Sequence, residues 1–242
     1  MLTAALADLD ADRLEAAYPW PEGPRWLRAN MVMTLDGATV GPDGLSGSLT
    51  SGADQVVFRS LRSMADVVLV GAATIRAERY TPMRPADELQ RRREERGLAP
   101  APVIAVVSGS LDLPWEGPLW AGSVLRPIVL TGDGADPARL AEAQQHADVI
   151  TLPGTTLDVR AVVGALEGRG LRRILCEGGA RLLGQLIEEE LLDEADLTLA
   201  PLFTGTGVTP STPVVVPPGR FDLAHALHEA SYQMLRYVRS TA

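Results

Sequence analysis

The stretch RRILCEGGARLLGQLIE, from Arg172 to Glu188, decides how the rest of the chain is read. Ile174 to Cys176 form a short apolar run, Glu177 ends it, and Gly178 and Gly179 permit a tight turn. Leu182, Leu183, Leu186 and Ile187 then recur at the spacing of a buried helix face. The pattern predicts strand, glycine turn and helix. A helix that begins directly after such a turn aims free backbone N–H groups, and the positive end of its dipole, at whatever lies above the strand. That arrangement suits a phosphate. Glu177 sets a carboxylate beside it. By itself the motif also fits an ordinary strand-to-helix turn of an α/β protein.

Working outward, the same punctuation recurs. Trp26 to Thr34 reads as a strand with Leu27, Ala29, Met31 and Met33 on one side and Asn30 and Val32 on the other, ending at Thr34 to Gly37. A loop rich in glycine follows from Ala38 to Ser48. Thr50 or Ser51 then caps a helix running to about Met64, with Val56, Val57, Leu61 and Met64 as its buried face and Arg62 near its end. Asp66 to Val70 has the near-continuous apolar character of a strand buried on both faces, and Gly71 to Thr74 turns into a short helix. Strands over Val103–Val107, Ile128–Leu130 and Val149–Leu152, with helices over Pro137–His146 and Val159–Glu167, lead back to the opening stretch. After it, Asp196 to Ala200 alternates polar and apolar residues, and the tail reads as two strands joined near Glu229 to Ser231. Residues 86–99, with opposite charges mixed, predict a solvated helix. Residues 3–17 predict an amphipathic helix carrying Leu6, Leu9 and Leu14. The expected fold is α/β and three-layered, a mostly parallel central sheet with an antiparallel C-terminal edge. Residues 1–25 form an N-terminal helical extension and 26–242 a single domain.

At 242 residues and 46% hydrophobic, the chain can bury a substantial core. Its formal charge of −9 and pI near 4.9 argue against a sequence-independent nucleic-acid binder, which needs a basic face. The one cysteine, Cys176, lies inside an apolar strand, which excludes a disulfide framework or a cysteine-rich metal site. His146, His225 and His228 are not spaced as metal ligands, and no metal is expected. The N-terminal segment lacks a basic start followed by an apolar run, and no window approaches a membrane span. No membrane partner and a cytoplasmic location are therefore expected.

Open α/β sheets hold ligands outside the carboxyl ends of their strands. Thr34–Gly37, Gly71–Thr74, Ser108–Ser110 and Glu177–Gly179 all fall at such ends, which points to a dinucleotide-dependent enzyme. The GxGxxG fingerprint, the P-loop lysine motif and a Ser, His and Asp set in an elbow context are all absent. A cofactor that carries its own hydride would account for the scarcity of reactive side chains.

Four motifs in order carry a family likeness: Asn30 to Gly37, Thr50-Ser51 opening a helix that ends in Leu61-Arg62, Val70 to Glu78, and Glu177 to Leu183. Together they resemble the reductase domain of the bifunctional riboflavin biosynthesis protein, a pyrimidine reductase with a dihydrofolate-reductase-like fold, over roughly Arg28 to Arg239. The resemblance implies a homodimer and NADPH-dependent reduction of a small molecule, 5-amino-6-(5-phosphoribosylamino)uracil, whose ribose opens to a ribityl chain. It implies that Gly71, Thr74, Glu78, Gly178, Gly179, Ala180, Arg181 and Leu182 hold NADPH. Thr34, Asp36, Ser46, Arg62, Arg84 and Glu177 would face the substrate, the two arginines meeting its phosphate through forked hydrogen bonds. Asp36 is the catalytic candidate, for substrate positioning and proton handling; a turn cap beside Gly37 also fits. Arg76 and Arg79 are candidates for the cofactor's 2′-phosphate. The chain departs from the pattern at Asn30, where the family carries lysine, and at Glu78-Arg79-Tyr80, where it carries Asp-Asp-Pro. The zinc-binding deaminase motif is missing, which implies a stand-alone reductase. Two other readings remain open: a reductase of another heterocycle such as dihydrofolate, and a non-catalytic cofactor-binding dimer.

Overall fold

Residues 2–78, 80–205 and 219–240 are described by a computed structural model. Their strands are β1 (Leu2–Ala5), β2 (Trp26–Thr34), β3 (Val67–Gly71), β4 (Val103–Val107), β5 (Ile128–Gly132), β6 (Asp148–Leu152), β7 (Arg173–Cys176), β8 (Glu194–Ala200), β9 (Phe221–Glu229) and β10 (Tyr232–Arg239). They form one sheet in the order β1-β9-β10-β8-β2-β7-β3-β4-β5-β6. From β8 to β6 all neighbours run parallel, whereas β10 is antiparallel to both β8 and β9. The expected α/β class and mixed sheet are thus present.

Helices cover both faces of the parallel half. Val68 and Val70 of β3 belong to the core beneath α1 (Ala11–Ala17), α2 (Gly52–Met64) and α3 (Ala72–Ala77). Val67 and Leu69 face the opposite core, under α7 (Val159–Glu167) and α8 (Ala180–Glu188). The remaining helices are α4 (Asp87–Glu94), α5 (Pro118–Gly122) and α6 (Pro137–His146). Among the described residues no helix is long and apolar enough to cross a membrane.

Three details correct the sequence reading. Residues 2–5 are a strand, not helix: β1 pairs parallel with β9 and closes that edge of the sheet, leaving the helix to begin at Ala11. Four residues carry too little pattern to reveal a partner more than two hundred positions away. Val56 is 45% exposed, because the buried stripe of α2 runs through Ala53, Val57, Leu61 and Met64. Arg93, expected in a solvated helix, is wholly buried and donates to the carbonyls of Ala99, Ser63 and Ala65 at 2.8, 2.6 and 2.9 Å. It satisfies the carbonyls at the end of α2.

The segment before β2 is likewise built in. Leu6, Leu14 and Tyr18 are core residues, and the buried Arg28 guanidinium donates to the Tyr18 and Pro19 carbonyls at 3.3 and 2.6 Å. Arg28 also lies 3.3 Å from Glu194, which accepts from Trp26 Nε1 at 3.0 Å and from Arg236 at 2.9 Å. β8 is therefore inside out. Glu194, Asp196 and Thr198 are buried, while Ala195, Leu197 and Leu199 on the other face stay half-exposed beside Tyr237, Leu235 and Gln233 of β10.

Among the described residues neither oxygen of Asp196 has a hydrogen-bond donor. Burial, and then the neighbouring Glu194, hold this carboxyl well above the ordinary value, with Arg28 and Arg236 opposing. The charge of Asp196 is felt in turn by the buried Tyr18 phenol. A raised folded-state pKa means that the group's contribution to stability is fully present below its unfolded value, near 3.8, and is lost as pH rises through the folded value. Urea midpoints of the wild type are thus expected to fall more steeply above pH 4 than those of Asp196→Asn. Parallel pH curves for the two proteins would contradict this.

Candidate active site

Because β2, β7 and β3 are parallel neighbours, their carboxyl ends lie side by side, and α2 crosses over them. Between them is a cleft of about 550 Å³, walled by Asn30 and Val32 of β2, Ser46, the polar side of α2, and Thr74, Glu78, Tyr80 and Glu177. Helical spacing explains the contribution of α2: Asp54, Phe58 and Arg62 recur at i, i+4 and i+8, with Gln55 and Arg59 in the adjacent row.

The floor of the cleft is an ion pair. Glu177 continues β7, and its carboxylate accepts from Arg62 Nε and Nη2, both at 2.6 Å, and from the Tyr80 hydroxyl at 3.0 Å. The guanidinium lies 4.1 Å from the Phe58 ring centre and 5.6 Å from that of Tyr80. Burial works against the charge of Arg62, but Glu177 more than offsets it, so the guanidinium is held above its ordinary value. Burial, then the Glu177 charge, push the Tyr80 phenol well above its own. Tyr80 is thus a fixed neutral donor. The fork of Arg62, which the resemblance gave to a substrate phosphate, is engaged by Glu177 instead; only part of the guanidinium remains for a ligand.

The glycine turn meets the turn after β3. Gly71 N donates to Gly178 O at 2.9 Å, Gly178 has a φ of +89°, and the Gly178–Gly179 peptide is cis. A Cβ on Gly179 would stand 2.8 Å from Thr74 Oγ1, and one on Gly71 would stand 3.4 Å from Gly179 N. No side chain caps α8, so the N–H groups of its first turn, Ala180 to Leu182, are left for a ligand. Leu182 itself is a core residue, whereas Arg181 is exposed. An uncapped helix start behind a glycine pair that admits no side chain fits the pyrophosphate of a dinucleotide. Glu78 and Ser46 are joined, Ser46 N donating to Glu78 Oε1 at 2.7 Å.

Other expected residues lie elsewhere. Asp36 Oδ1 accepts from Thr34 Oγ1 at 2.5 Å and from Thr204 N at 3.2 Å, and Oδ2 accepts from Gly205 N at 3.0 Å. It ties the loop after β2 to the loop after β8. The Thr34 hydroxyl above all, with the Thr204 and Gly205 N–H groups adding, brings the Asp36 pKa down to about 2. These hydrogen bonds fit the turn cap, the other role open to Asp36. Neither Asp36 nor the buried Thr34 lines the cleft. Arg84, too, lies outside: it is exposed and donates from Nε to the Gly122 carbonyl at 3.0 Å. Arg76 donates to the Asp112 carbonyl, and Arg79 is outside the described residues. The Ser108–Ser110 turn does not line the cleft; the Ser108 hydroxyl accepts from Leu111 N at 3.0 Å. Among the described residues no group of three or more His, Cys, Asp or Glu is placed to hold a metal ion.

Asp54, Phe58, Arg59 and Tyr80 were not singled out from sequence as site residues. The spacing of α2 sets Asp54, Phe58 and Arg59 off its buried stripe or beside it, but a sequence cannot tell a side that looks into a cleft from one that looks into solvent, and Tyr80 lies outside the helix.

Fold and cleft define an α/β protein with a polar cleft at the carboxyl ends of parallel strands, and comparison with known proteins gives the class as an NAD(P)H-using reductase. The chain belongs to the RibD C-terminal domain family, whose model matches residues 25–230. It is 25% identical over 186 residues to the 2,5-diamino-6-ribosylamino-4(3H)-pyrimidinone 5′-phosphate reductase of Archaeoglobus fulgidus, covering 77% of this chain and 84% of that protein. To the riboflavin biosynthesis protein RibD of a Synechocystis species it is 31% identical over 184 residues, 76% of this chain but 46% of that protein. The crystal structure of a pyrimidine reductase-like protein from Corynebacterium diphtheriae superposes with a TM-score of 0.81 at 23% identity, covering 95% of this chain and 99% of that one.

Proposed function

We propose that the protein reduces a ribosylaminopyrimidine 5′-phosphate with NADPH, opening the ribose to a ribityl chain as riboflavin synthesis requires. The observation that carries this reading is the closeness of the Gly179 turn to Thr74, where an added Cβ would stand 2.8 Å from Oγ1, beside the Arg62–Glu177–Tyr80 floor. It puts a dinucleotide-shaped turn and a polar cleft side by side. NADPH, when bound, supplies the hydride. The N–H groups of Ala180, Arg181 and Leu182 receive its pyrophosphate, Thr74 and Glu78 border the shared cleft, and Glu177 fixes the plane of Arg62 so that substrate meets a preformed surface.

The uracil, 5-amino-6-(5-phosphoribosylamino)uracil, is one substrate form. A specific observation favours the 2-amino form: Asn30 supplies no charge, while among the described residues Asp54 and Glu78 each keep a carboxylate oxygen without a hydrogen-bond donor. A carboxylate pairs with an adjacent ring N–H and 2-amino group but is repelled by a 2-oxo group. Following NADPH oxidation with the 2-amino pyrimidine, the uracil and dihydrofolate side by side tests this. Turnover of either ribosylamino compound, faster with NADPH than with NADH, is expected. Oxidation with dihydrofolate alone, or cofactor binding with no turnover, would overturn it.

A second copy of the chain covers the half-exposed face of β8 and β10 in this reading. An apolar row turned outward while Glu194 and Asp196 turn inward reverses the usual pattern of a solvated sheet face. Leu197→Lys is expected to shift sedimentation from dimer to monomer at micromolar concentration; a wild type that sediments as a monomer would refute the pairing.

A further inference from the structure

We propose that Tyr80 is a positioning residue: its hydroxyl holds Glu177, and through it Arg62, so that the ligand meets the floor of the cleft in one fixed arrangement. The inference rests on the ribosylaminopyrimidine phosphate reading above. Tyr80 stands where the family pattern has a proline, a residue with no side-chain donor. The hydroxyl is therefore a feature of this chain and not of the shared motif.

Three bonds reach the Glu177 carboxylate among the described residues. Arg62 Nε donates to Oε1 at 2.6 Å, while Arg62 Nη2 and the Tyr80 hydroxyl both donate to Oε2, at 2.6 and 3.0 Å. Each carboxylate oxygen accepts about two hydrogen bonds, so Oε2 is filled and Oε1 keeps one open position. Arg62 Nη1 has no acceptor among the described residues. Oε1 and Nη1 thus remain for the ligand. With no hydroxyl at position 80, Oε2 would be open as well, and the carboxylate would be held only by Arg62, a side chain on a long, flexible stem.

Tyr80 is itself well anchored. Its ring packs against the core that holds Val68, Val70 and Ile75, and its backbone N–H donates to the Glu78 carbonyl at 2.9 Å. Glu78 in turn accepts from Ser46 N at 2.7 Å, so the residue that fixes the floor is tied to the wall. Three separate elements meet at one carboxylate: α2 through Arg62, the end of β7 through Glu177, and the segment after α3 through Tyr80. Held from two sides, the acid cannot follow a misplaced ligand, which is what positioning requires.

Kinetics and equilibrium binding on the wild type, Tyr80→Phe, Glu177→Gln and the double variant test the role. Tyr80→Phe keeps the ring in the core and removes only the oxygen. It is expected to lower kcat/KM for the ribosylaminopyrimidine 5′-phosphate roughly tenfold, and to weaken binding of the ribitylamino product to the NADP⁺-loaded protein by a similar factor. NADPH affinity and melting temperature should stay at the wild-type values. In the Glu177→Gln background the same change should weaken product binding by less than about twofold, because the acceptor has already lost its charge. Wild-type kinetics and product binding in Tyr80→Phe would overturn the role of Tyr80 while leaving the proposed function intact. So would a loss that NADPH affinity and melting temperature share, or one of equal size in both backgrounds. A wild type that neither binds the product nor turns over either ribosylamino compound would sink both.

Discussion

Replacing Glu194 with alanine is expected to destabilise the protein by about 3–5 kcal/mol, the usual cost of removing one partner from a buried ion pair. Three groups depend on this carboxylate: Arg28, Arg236 and the Trp26 indole N–H. Arg28 is wholly buried and cannot recruit water in exchange. Loss of the acid would leave two guanidinium groups facing each other near a cluster whose other acid, Asp196, is already biased toward its neutral form. Urea unfolding at pH 7 measures the effect, with Glu194→Gln as the control that keeps the shape and one acceptor. A loss below about 1 kcal/mol for the alanine variant would mean that the cluster is hydrated and that the cited range does not apply.

The second large effect is on cofactor binding. Gly179→Val is expected to raise the NADPH dissociation constant by roughly a hundredfold or more, about 2.7 kcal/mol by the usual conversion. A Cβ there stands 2.8 Å from Thr74 Oγ1, so either Thr74 turns or the backbone of the turn retreats from the helix start. Both move groups that would hold the cofactor. Fluorescence titration with NADPH reads the loss, and thermal melting separates it from unfolding. Thr74→Ala in the same chain removes the clashing oxygen and should restore part of the affinity, a coupling that only neighbouring residues show. An unchanged dissociation constant for the single variant would place the cofactor elsewhere.

What could be read from sequence was whatever repeats locally. The strand of Ile174 to Cys176, the glycine turn and the stripe of α8 are all present, because period and turn chemistry are properties of adjacent residues. So are β2, β3 and the Ser51 cap of α2. The Arg62–Glu177 pair was not legible: its members are 115 positions apart, and nothing near either residue shows that they satisfy one another. The same limit explains the arginines: Arg84 and Arg59 are equally charged in sequence, yet Arg59 lines the cleft and Arg84 donates to the Gly122 carbonyl outside it. Asp36 stood in a motif that fitted both a catalytic and a capping role, and the donors that bind it, Thr204 and Gly205 in the loop after β8, lie far off in sequence.

The strand order also governs how the chain is made. Trp26 to Thr34 leave the ribosome early, yet both neighbours of β2 in the sheet, Arg173–Cys176 and Glu194–Ala200, are synthesised some 140 residues later or more. Until then Leu27 and Ala29 have no sheet to join, and the buried Arg28 has no Glu194. The nascent protein must carry an apolar, charge-bearing strand unpaired through most of translation, the situation in which long-range parallel pairing folds slowly and invites aggregation. Yield in a host cell should therefore depend on chaperone supply and on synthesis temperature more than on the equilibrium stability of the finished sheet.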